Sequence, residues 1–76
     1  MANIVSAEAK YGGFTLRAMD ALAIAAYDWE AKVVAPYGGP ERLYAYFKLG
    51  SEKKAKGFAS RIRRLPGVKS VHVHKT

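Results

Sequence analysis

The C-terminal part of the chain alternates apolar and polar residues in a pattern that predicts a strand, a helix and a second strand. Residues 42–49, RLYAYFKL, place an apolar side chain at every second position and include three aromatic residues, as is typical of β-strands. Ser51 is a suitable N-cap for the helix, whose apolar residues recur at helical spacing as far as about Leu65. A Pro-Gly pair then ends the helix, and residues 68–75, VKSVHVHK, have the β-branched composition of a strand.

The N-terminal half begins with a strand, and two arrangements of the next elements agree with the sequence. Residues 3–10, NIVSAEAK, predict the first strand. In the first arrangement, Thr15 caps a helix over residues 16–28, residues 30–37 form a strand, and the following GGPE turn leads into the aromatic strand. The resulting order is β-α-β-β-α-β, which the pattern slightly favours.

The second arrangement places a hairpin at the start of the chain. A tight turn at Gly12 and Gly13 pairs residues 14–19 with the first strand. Asp20 then caps a helix that reaches about Ala35, where the following proline stops it. The resulting order is β-β-α-β-α-β.

Both arrangements predict a single α+β domain over residues 1–76, with about four strands in a mainly antiparallel sheet and two helices on one face. The segment LPGVKSVHV, residues 65–73, resembles the closing turn and strand of many ferredoxin-like domains. This resemblance implies the ferredoxin-like fold. Heavy-metal-associated domains share that fold, but they bind their metal with a Cys-x-x-Cys pair, and this chain has no cysteine. We therefore expect no bound metal and no other cofactor.

Side chains alternate across a strand, so each strand divides into a core side and an open side. We expect the core to contain Leu43, Ala45, Phe47, Leu49, Phe58, Ile62, Leu65, Val71 and Val73. The open side would present Arg42, Tyr44, Tyr46, Lys48, Ser70, His72 and His74. We also expect Met19, Tyr27 and Trp29 in the core, and we expect Gly57 to be merely tolerated within its helix, at a cost of about 1 kcal/mol relative to alanine.

The net charge of the 76-residue chain is +7, and the excess lies in the last third. Residues 1–47 contain four basic and five acidic residues, whereas residues 48–76 contain nine basic residues and one acidic residue, so their net charges are −1 and +8. A one-sided positive field attracts a polyanion such as nucleic acid or an acidic protein surface. We expect no membrane span, because the longest apolar run, residues 21–26, is far shorter than the roughly 18 residues that a span needs. We also expect the basic helix not to bind a membrane surface, because its apolar stripe is needed for the core.

The aromatic strand is the first candidate for a nucleic-acid site. Tyr44 and Tyr46 alternate with Arg42 and Lys48, so that tyrosine rings can stack on unpaired bases while the cations bind phosphates. The strand also resembles the RNP1 segment of the RNA-recognition motif, K/R-G-F/Y-G/A-F-V-x-F/Y, since Arg42, Tyr44 and Ala45 match it and Tyr46 is an aromatic substitute. A leucine replaces the glycine of the motif, and the first strand has no aromatic residue. The resemblance implies RNA contacts by Arg42, Tyr44 and Tyr46.

The basic helix forms the second candidate, and Lys69, His72 and His74 of the last strand can add phosphate contacts, the histidines when charged in mildly acidic solution. The cationic side chains of the helix are Lys53, Lys54, Lys56, Arg61, Arg63 and Arg64. Such a set can follow a phosphate backbone, although cations near a helix C terminus also suit the helix dipole. In a ferredoxin-like fold the helix lies behind the sheet, so this surface is separate from the aromatic one.

The sequence contains no phosphate-binding, dinucleotide-binding or metalloprotease motif, and His72 and His74 lack an evident third metal ligand. We therefore predict a non-enzymatic protein that binds single-stranded nucleic acid or RNA. Because the chain has no cysteine and no pattern of a secretory signal, we expect a cytoplasmic protein. The alternative is a protein-interaction module, such as a phage or mobile-element inhibitor of a nucleic-acid-processing complex, by analogy with anti-CRISPR inhibitors. An exposed edge strand would also allow a homodimer.

Overall fold

The computed structural model describes residues 3–10, 12–35 and 43–75. These residues form four strands and two helices in the order β-α-β-β-α-β, so the first arrangement is confirmed. The elements are β1 (Asn3–Ala9), α1 (Leu16–Asp28), β2 (Lys32–Ala35), β3 (Tyr44–Leu49), α2 (Glu52–Ile62) and β4 (Val68–Lys75). The turn predicted at residues 38–41 lies outside the described residues.

The four strands form one sheet in the spatial order β2-β3-β1-β4, and every neighbouring pair is antiparallel. This order, with β1 and β3 at the centre, is that of the ferredoxin-like fold, and the predicted α+β class is confirmed. One side of the sheet supplies Val5, Ala45 and Phe47 to the core, where Leu22 of α1 and Phe58 of α2 are also buried. We call the other side of the sheet, which faces away from this core, the open face.

Helix α1 begins at Leu16 because Thr15 caps it. Thr15 Oγ1 accepts a hydrogen bond of 3.1 Å from the amide of Ala18, which satisfies one of the unpaired amides of the first turn. The alternative hairpin over residues 14–19 and the cap at Asp20 are therefore wrong. The buried residues of this segment are Phe14, Ala18, Leu22, Ala25 and Ala26.

A hydrogen-bonded turn around Glu30 ends α1 at Asp28. Glu30 has a φ of 54°, in the left-handed region that residues other than glycine rarely adopt. The amide of Ala31 donates to the carbonyl of Ala26 at 2.8 Å, and the amide of Glu30 donates to the carbonyl of Tyr27 at 3.2 Å. This is the Schellman pattern of helix termination. Strand β2 consequently begins two residues later than predicted, because Glu30 and Ala31 close the helix.

Helix α2 begins where the sequence predicts and ends earlier. Ser51 Oγ accepts a hydrogen bond of 3.1 Å from the amide of Lys54. The helix ends at Ile62 rather than near Leu65, because the chain turns there and the amide of Leu65 donates to the carbonyl of Ile62 at 3.0 Å. Gly67 follows this turn with a φ of 86°, a value that suits glycine and leads the chain into β4.

Two phenylalanine rings occupy the centre of the core. Phe47 and Phe58 are fully buried, and their ring centroids lie 5.0 Å apart with an interplanar angle of 68°, a favourable edge-to-face arrangement. The other core positions predicted over residues 43–73 are confirmed as well. Ala45, Leu49, Ile62 and Val71 are buried, and Leu43, Leu65 and Val73 pack against the core while partly exposed.

The contact between Trp29 and Gly57 joins the end of α1 to α2. Trp29 and Met19 pack against the core as predicted, but the prediction for Tyr27 is wrong, since its side chain is 86% exposed. A Cβ atom at Gly57 would lie only 2.5 Å from Cη2 and Cζ3 of Trp29. The indole ring therefore occupies the space that a side chain at position 57 would need. The prediction that Gly57 is merely tolerated is wrong, because packing requires a glycine there.

Candidate nucleic-acid interface

The open face is a grid of side chains from the three strands β3, β1 and β4. The pairing register brings each residue of β1 between one residue of β3 and one of β4. From one end of the sheet to the other, the three rows are Lys48, Ile4 and His74; Tyr46, Ser6 and His72; and Tyr44, Glu8 and Ser70. The structure thus brings together six of the side chains that the sequence places on this side: Tyr44, Tyr46, Lys48, Ser70, His72 and His74.

Tyr44 and Tyr46 form the aromatic part of the open face. Their side chains are 46% and 36% exposed, and alternation along β3 turns both away from the core. The ring centroids lie 6.4 Å apart with 30° between the ring planes. This separation is nearly twice the rise of about 3.4 Å per nucleotide in a stacked duplex strand. The two rings therefore match the bases of an extended strand rather than two bases stacked on each other.

Two lysines lie opposite each other across β2 and β3. Lys32 and Lys48 occupy paired positions of the register, and both are exposed. Like charges directly opposite each other destabilise a sheet, and the next position in this row, on β1, is Ile4 rather than an acid. Glu8 is the only acidic residue of the described strands, and it lies four residues further along β1, about 13 Å away. An anion bound between the two ammonium groups would offset their repulsion.

Sequence reasoning missed Lys32. Its strand was predicted, but its position on the open face depends on its pairing with Lys48. A register shift between Val33 and Ala35 limits this pairing to one end of β2. The alternation of residues along a strand does not locate such a shift.

The two histidines and Ser6 form the other side of the open face. His72 and His74 are exposed, and their ring centroids lie 6.3 Å apart. A hydrogen bond of 2.8 Å joins His74 Nε2 to Ser6 Oγ of the middle row. Ser6 is buried among its neighbours in this grid. Sequence reasoning also missed Ser6, because a single serine in a strand gives no signal until the pairing of β1 with both neighbours is known.

Glu8 makes the opposite end of the open face less basic. Its carboxylate accepts a hydrogen bond of 3.2 Å from Ser70 Oγ and lies 3.9 Å from the ammonium group of Lys69. Lys69, a predicted phosphate-binding residue, is thus beside an acid. The open face is therefore most basic near Lys48 and less so near Tyr44.

The basic residues of α2 and of the turn that follows it form a separate surface in the helical layer. Lys53, Lys54, Lys56, Arg61, Arg63 and Arg64 are all exposed. Some have partners within the chain: Lys54 lies 3.6 Å from Glu30, and Lys56 lies 3.7 Å from Glu52. Arg63 Nη2 donates a hydrogen bond of 3.2 Å to the carbonyl of Val71. The structure does not bring these residues together with the tyrosines, and Arg42 lies outside the described residues.

Comparisons of the chain with protein-family models and with curated protein sequences find no match. Within residues 3–10, 12–35 and 43–75, no three His, Asp or Glu side chains are grouped as metal ligands would be. In the same ranges, neither helix has the length and apolar content required to cross a membrane.

Proposed function

We propose that the protein binds single-stranded nucleic acid on the open face and does so without catalysing a reaction. The observation that supports this best is the pair of exposed tyrosines, Tyr44 and Tyr46, beside the opposed lysines Lys32 and Lys48. Aromatic rings that can stack on bases and cations that can bind phosphates thus lie on one surface. Proteins that bind single strands combine these two features.

The tyrosines supply the base contacts. Stacking of a base on an aromatic side chain contributes about 1–3 kcal/mol and tolerates any base, because every base has a π face. Since the rings of Tyr44 and Tyr46 are 6.4 Å apart, two successive bases must be unstacked from each other to reach both. A duplex cannot present its bases in this way, so the open face favours single strands.

The lysines supply the phosphate contacts. A phosphate near Lys32 and Lys48 lies next to Tyr46 in the adjoining row, which is the arrangement needed when one nucleotide contacts both a ring and a cation. The bound nucleic-acid strand would then run along β3, from the end near Lys48 towards Tyr44.

The resemblance of β3 to RNP1 favours RNA over DNA. The aromatic strand is a central strand of the sheet, and Tyr44 and Tyr46 are the residues that the resemblance assigns to RNA contacts. The motif match is incomplete, so the geometry of the face is the main argument. A protein-interaction module acting on a nucleic-acid-processing complex is the alternative, and the exposed apolar residues of α1 favour it.

A binding assay with paired tyrosine variants tests the proposal. Fluorescence anisotropy with a labelled single-stranded RNA should show that Tyr46→Ala weakens binding about 5- to 150-fold, which corresponds to the loss of one stacked base. Tyr27→Ala is the matched control, because it removes an exposed tyrosine from α1, in the helical layer. DNA of the same sequence and the corresponding duplex complete the series. Equal losses for the two variants, or tighter binding to the duplex, would contradict the proposal.

The salt dependence of binding tests the phosphate contacts separately. Each phosphate contact to a single strand contributes about −0.7 to the slope of log K against log salt concentration. Lys48→Gln should therefore make the slope shallower by about 0.7. Lys53→Gln, on α2, should leave it unchanged. The reverse result would assign binding to the helical surface.

A further inference from the structure

Helix α1 presents a row of large apolar side chains to solvent. Leu16, Ile24 and Tyr27 are 72%, 61% and 86% exposed, and their spacing of eight and three residues places them on one face of the helix. This face is opposite the buried stripe that packs on the core. Isolated exposed apolar residues are ordinary in proteins, but an aligned group on one element indicates a contact surface.

The charges of α1 are placed against the helix dipole. Arg17 lies in the first turn and Asp28 lies in the last, and the helix has no acidic residue in its first turn and no basic residue in its last. Cations are favoured at the C terminus of a helix and anions at the N terminus, so both residues are at the wrong end for an isolated helix. Both are exposed, and neither forms an ion pair with another described residue.

We propose that the exposed face of α1 binds α1 of a second copy of this chain, with the two helices antiparallel. In such an isologous contact, Arg17 of one copy lies beside the partner's Asp28, and the pairing occurs twice by symmetry. Arg17 and Asp28 flank the same side of the apolar row, eleven residues apart, so a two-fold axis near the middle of the helix brings them together. Leu16 of one copy then packs near the partner's Tyr27.

The edges of the sheet are less suitable for self-association. Strand β2 has only four residues, begins with Lys32 and contains a register shift, and these are features that prevent edge pairing. Strand β4, the other edge, carries the exposed Lys69, and a charged side chain of this kind on an edge also discourages pairing. We therefore assign the contact surface of the predicted homodimer to α1 rather than to an edge of the sheet. Since α1 belongs to the helical layer, the contact leaves the open face accessible, and the inference does not depend on the proposed function.

The contact is small and should be weak. A helix of 13 residues is about 20 Å long, so one pair of helices buries less than the roughly 1,600 Å² of a standard interface. Asp20 is exposed and lies between Leu16 and Ile24 on the same face, which further weakens the contact by placing a charge near its centre. Dimerisation should accordingly appear only at high protein concentration, and Asp20→Ala should strengthen it.

Analytical ultracentrifugation over concentrations from about 10 μM to about 1 mM covers the range in which a weak dimer forms. The average mass should rise from 8.3 kDa towards twice that value. Ile24→Glu should weaken association by about 10-fold or more, because it places a charge in the apolar row. Val34→Glu, at an exposed position of β2, is the matched control and should not change it. A wild-type chain that stays monomeric, or a dimer that Ile24→Glu does not affect, overturns the proposal.

Charge exchange tests the antiparallel orientation. Arg17→Glu and Asp28→Lys should each weaken association by about 5-fold, because each replaces two attractive pairs by repulsive ones. The double variant should restore the affinity of the original chain. Both substitutions suit the dipole of α1, so they are not expected to unfold the monomer, and circular dichroism checks this. If the double variant associates no better than the single ones, the antiparallel contact is wrong.

Discussion

The contact between Trp29 and Gly57 predicts that Gly57→Ala lowers the free energy of unfolding, whereas helix propensity alone predicts that it raises it. Gly57 lies within α2, where replacing glycine by alanine normally stabilises a helix by about 1 kcal/mol. The new Cβ would lie 2.5 Å from two carbons of Trp29, whereas carbon atoms in contact prefer about 3.5–4.0 Å. The indole ring must therefore move by about 1 Å or more from its place against the core.

The magnitude follows from these two effects. Overpacking of this kind costs about 1–3 kcal/mol, and the gain in helix propensity offsets about 1 kcal/mol of it. We expect Gly57→Ala to lower the free energy of unfolding by up to about 2 kcal/mol, which for a domain of this size lowers the Tm by up to roughly 16 °C. In a Trp29→Leu background the distal ring atoms are absent. There, Gly57→Ala should raise the free energy of unfolding by about 1 kcal/mol.

Urea unfolding of the four proteins of this cycle, followed by far-ultraviolet circular dichroism, measures the coupling between the two sites. Trp29 is the only tryptophan of the chain, so its fluorescence also reports directly on ring displacement in Gly57→Ala. Gly50→Ala is the control substitution, because nothing lies within 4 Å of a Cβ at that position. If Gly57→Ala stabilises the wild-type background as much as the Trp29→Leu background, the packing argument is refuted.

Two further predictions concern the ends of α1. Glu30→Gly should raise the free energy of unfolding by about 0.5–1 kcal/mol in urea unfolding, because glycine adopts the left-handed conformation without strain. The lost ion pair with Lys54 offsets little of this gain, since both side chains are well exposed, and a destabilised variant would contradict the assignment. Thr15→Ala should lower the free energy of unfolding by about 1 kcal/mol, because the amide of Ala18 loses its capping oxygen. Thr15→Ser should retain most of the stability, and equal losses in both variants would exclude the cap as the cause.

The C-terminal half of the fold could be predicted from sequence because its signals are local. The alternation along residues 42–49, the cap at Ser51 and the Pro-Gly pair each depend on neighbouring residues alone. They place the core side chains of β3 correctly, as well as the two tyrosines of the open face. The end of α2 differs, because a turn at Ile62 replaces the last helical turn, and β3 begins at Tyr44 rather than at residue 42.

The N-terminal half and part of the site depend on contacts that are distant in sequence. Thr15 and Asp20 are both good helix caps, and the choice between them is made by which side chains the core buries. Likewise, Gly57 is an unfavourable helix residue until Trp29 packs on it. Lys32 and Ser6 join the open face through strand pairing, which alternation along one strand does not determine.

The central claim is that nucleic acid binds the open face. An NMR titration shows most directly which surface of the protein binds it. Amide chemical shifts of the ¹⁵N-labelled protein should be followed as unlabelled single-stranded RNA is added. The largest changes are expected in the open-face residues of the two central strands, including Ser6, Tyr46 and Lys48. Changes confined to the basic residues of α2, or no changes at low salt, would contradict the claim.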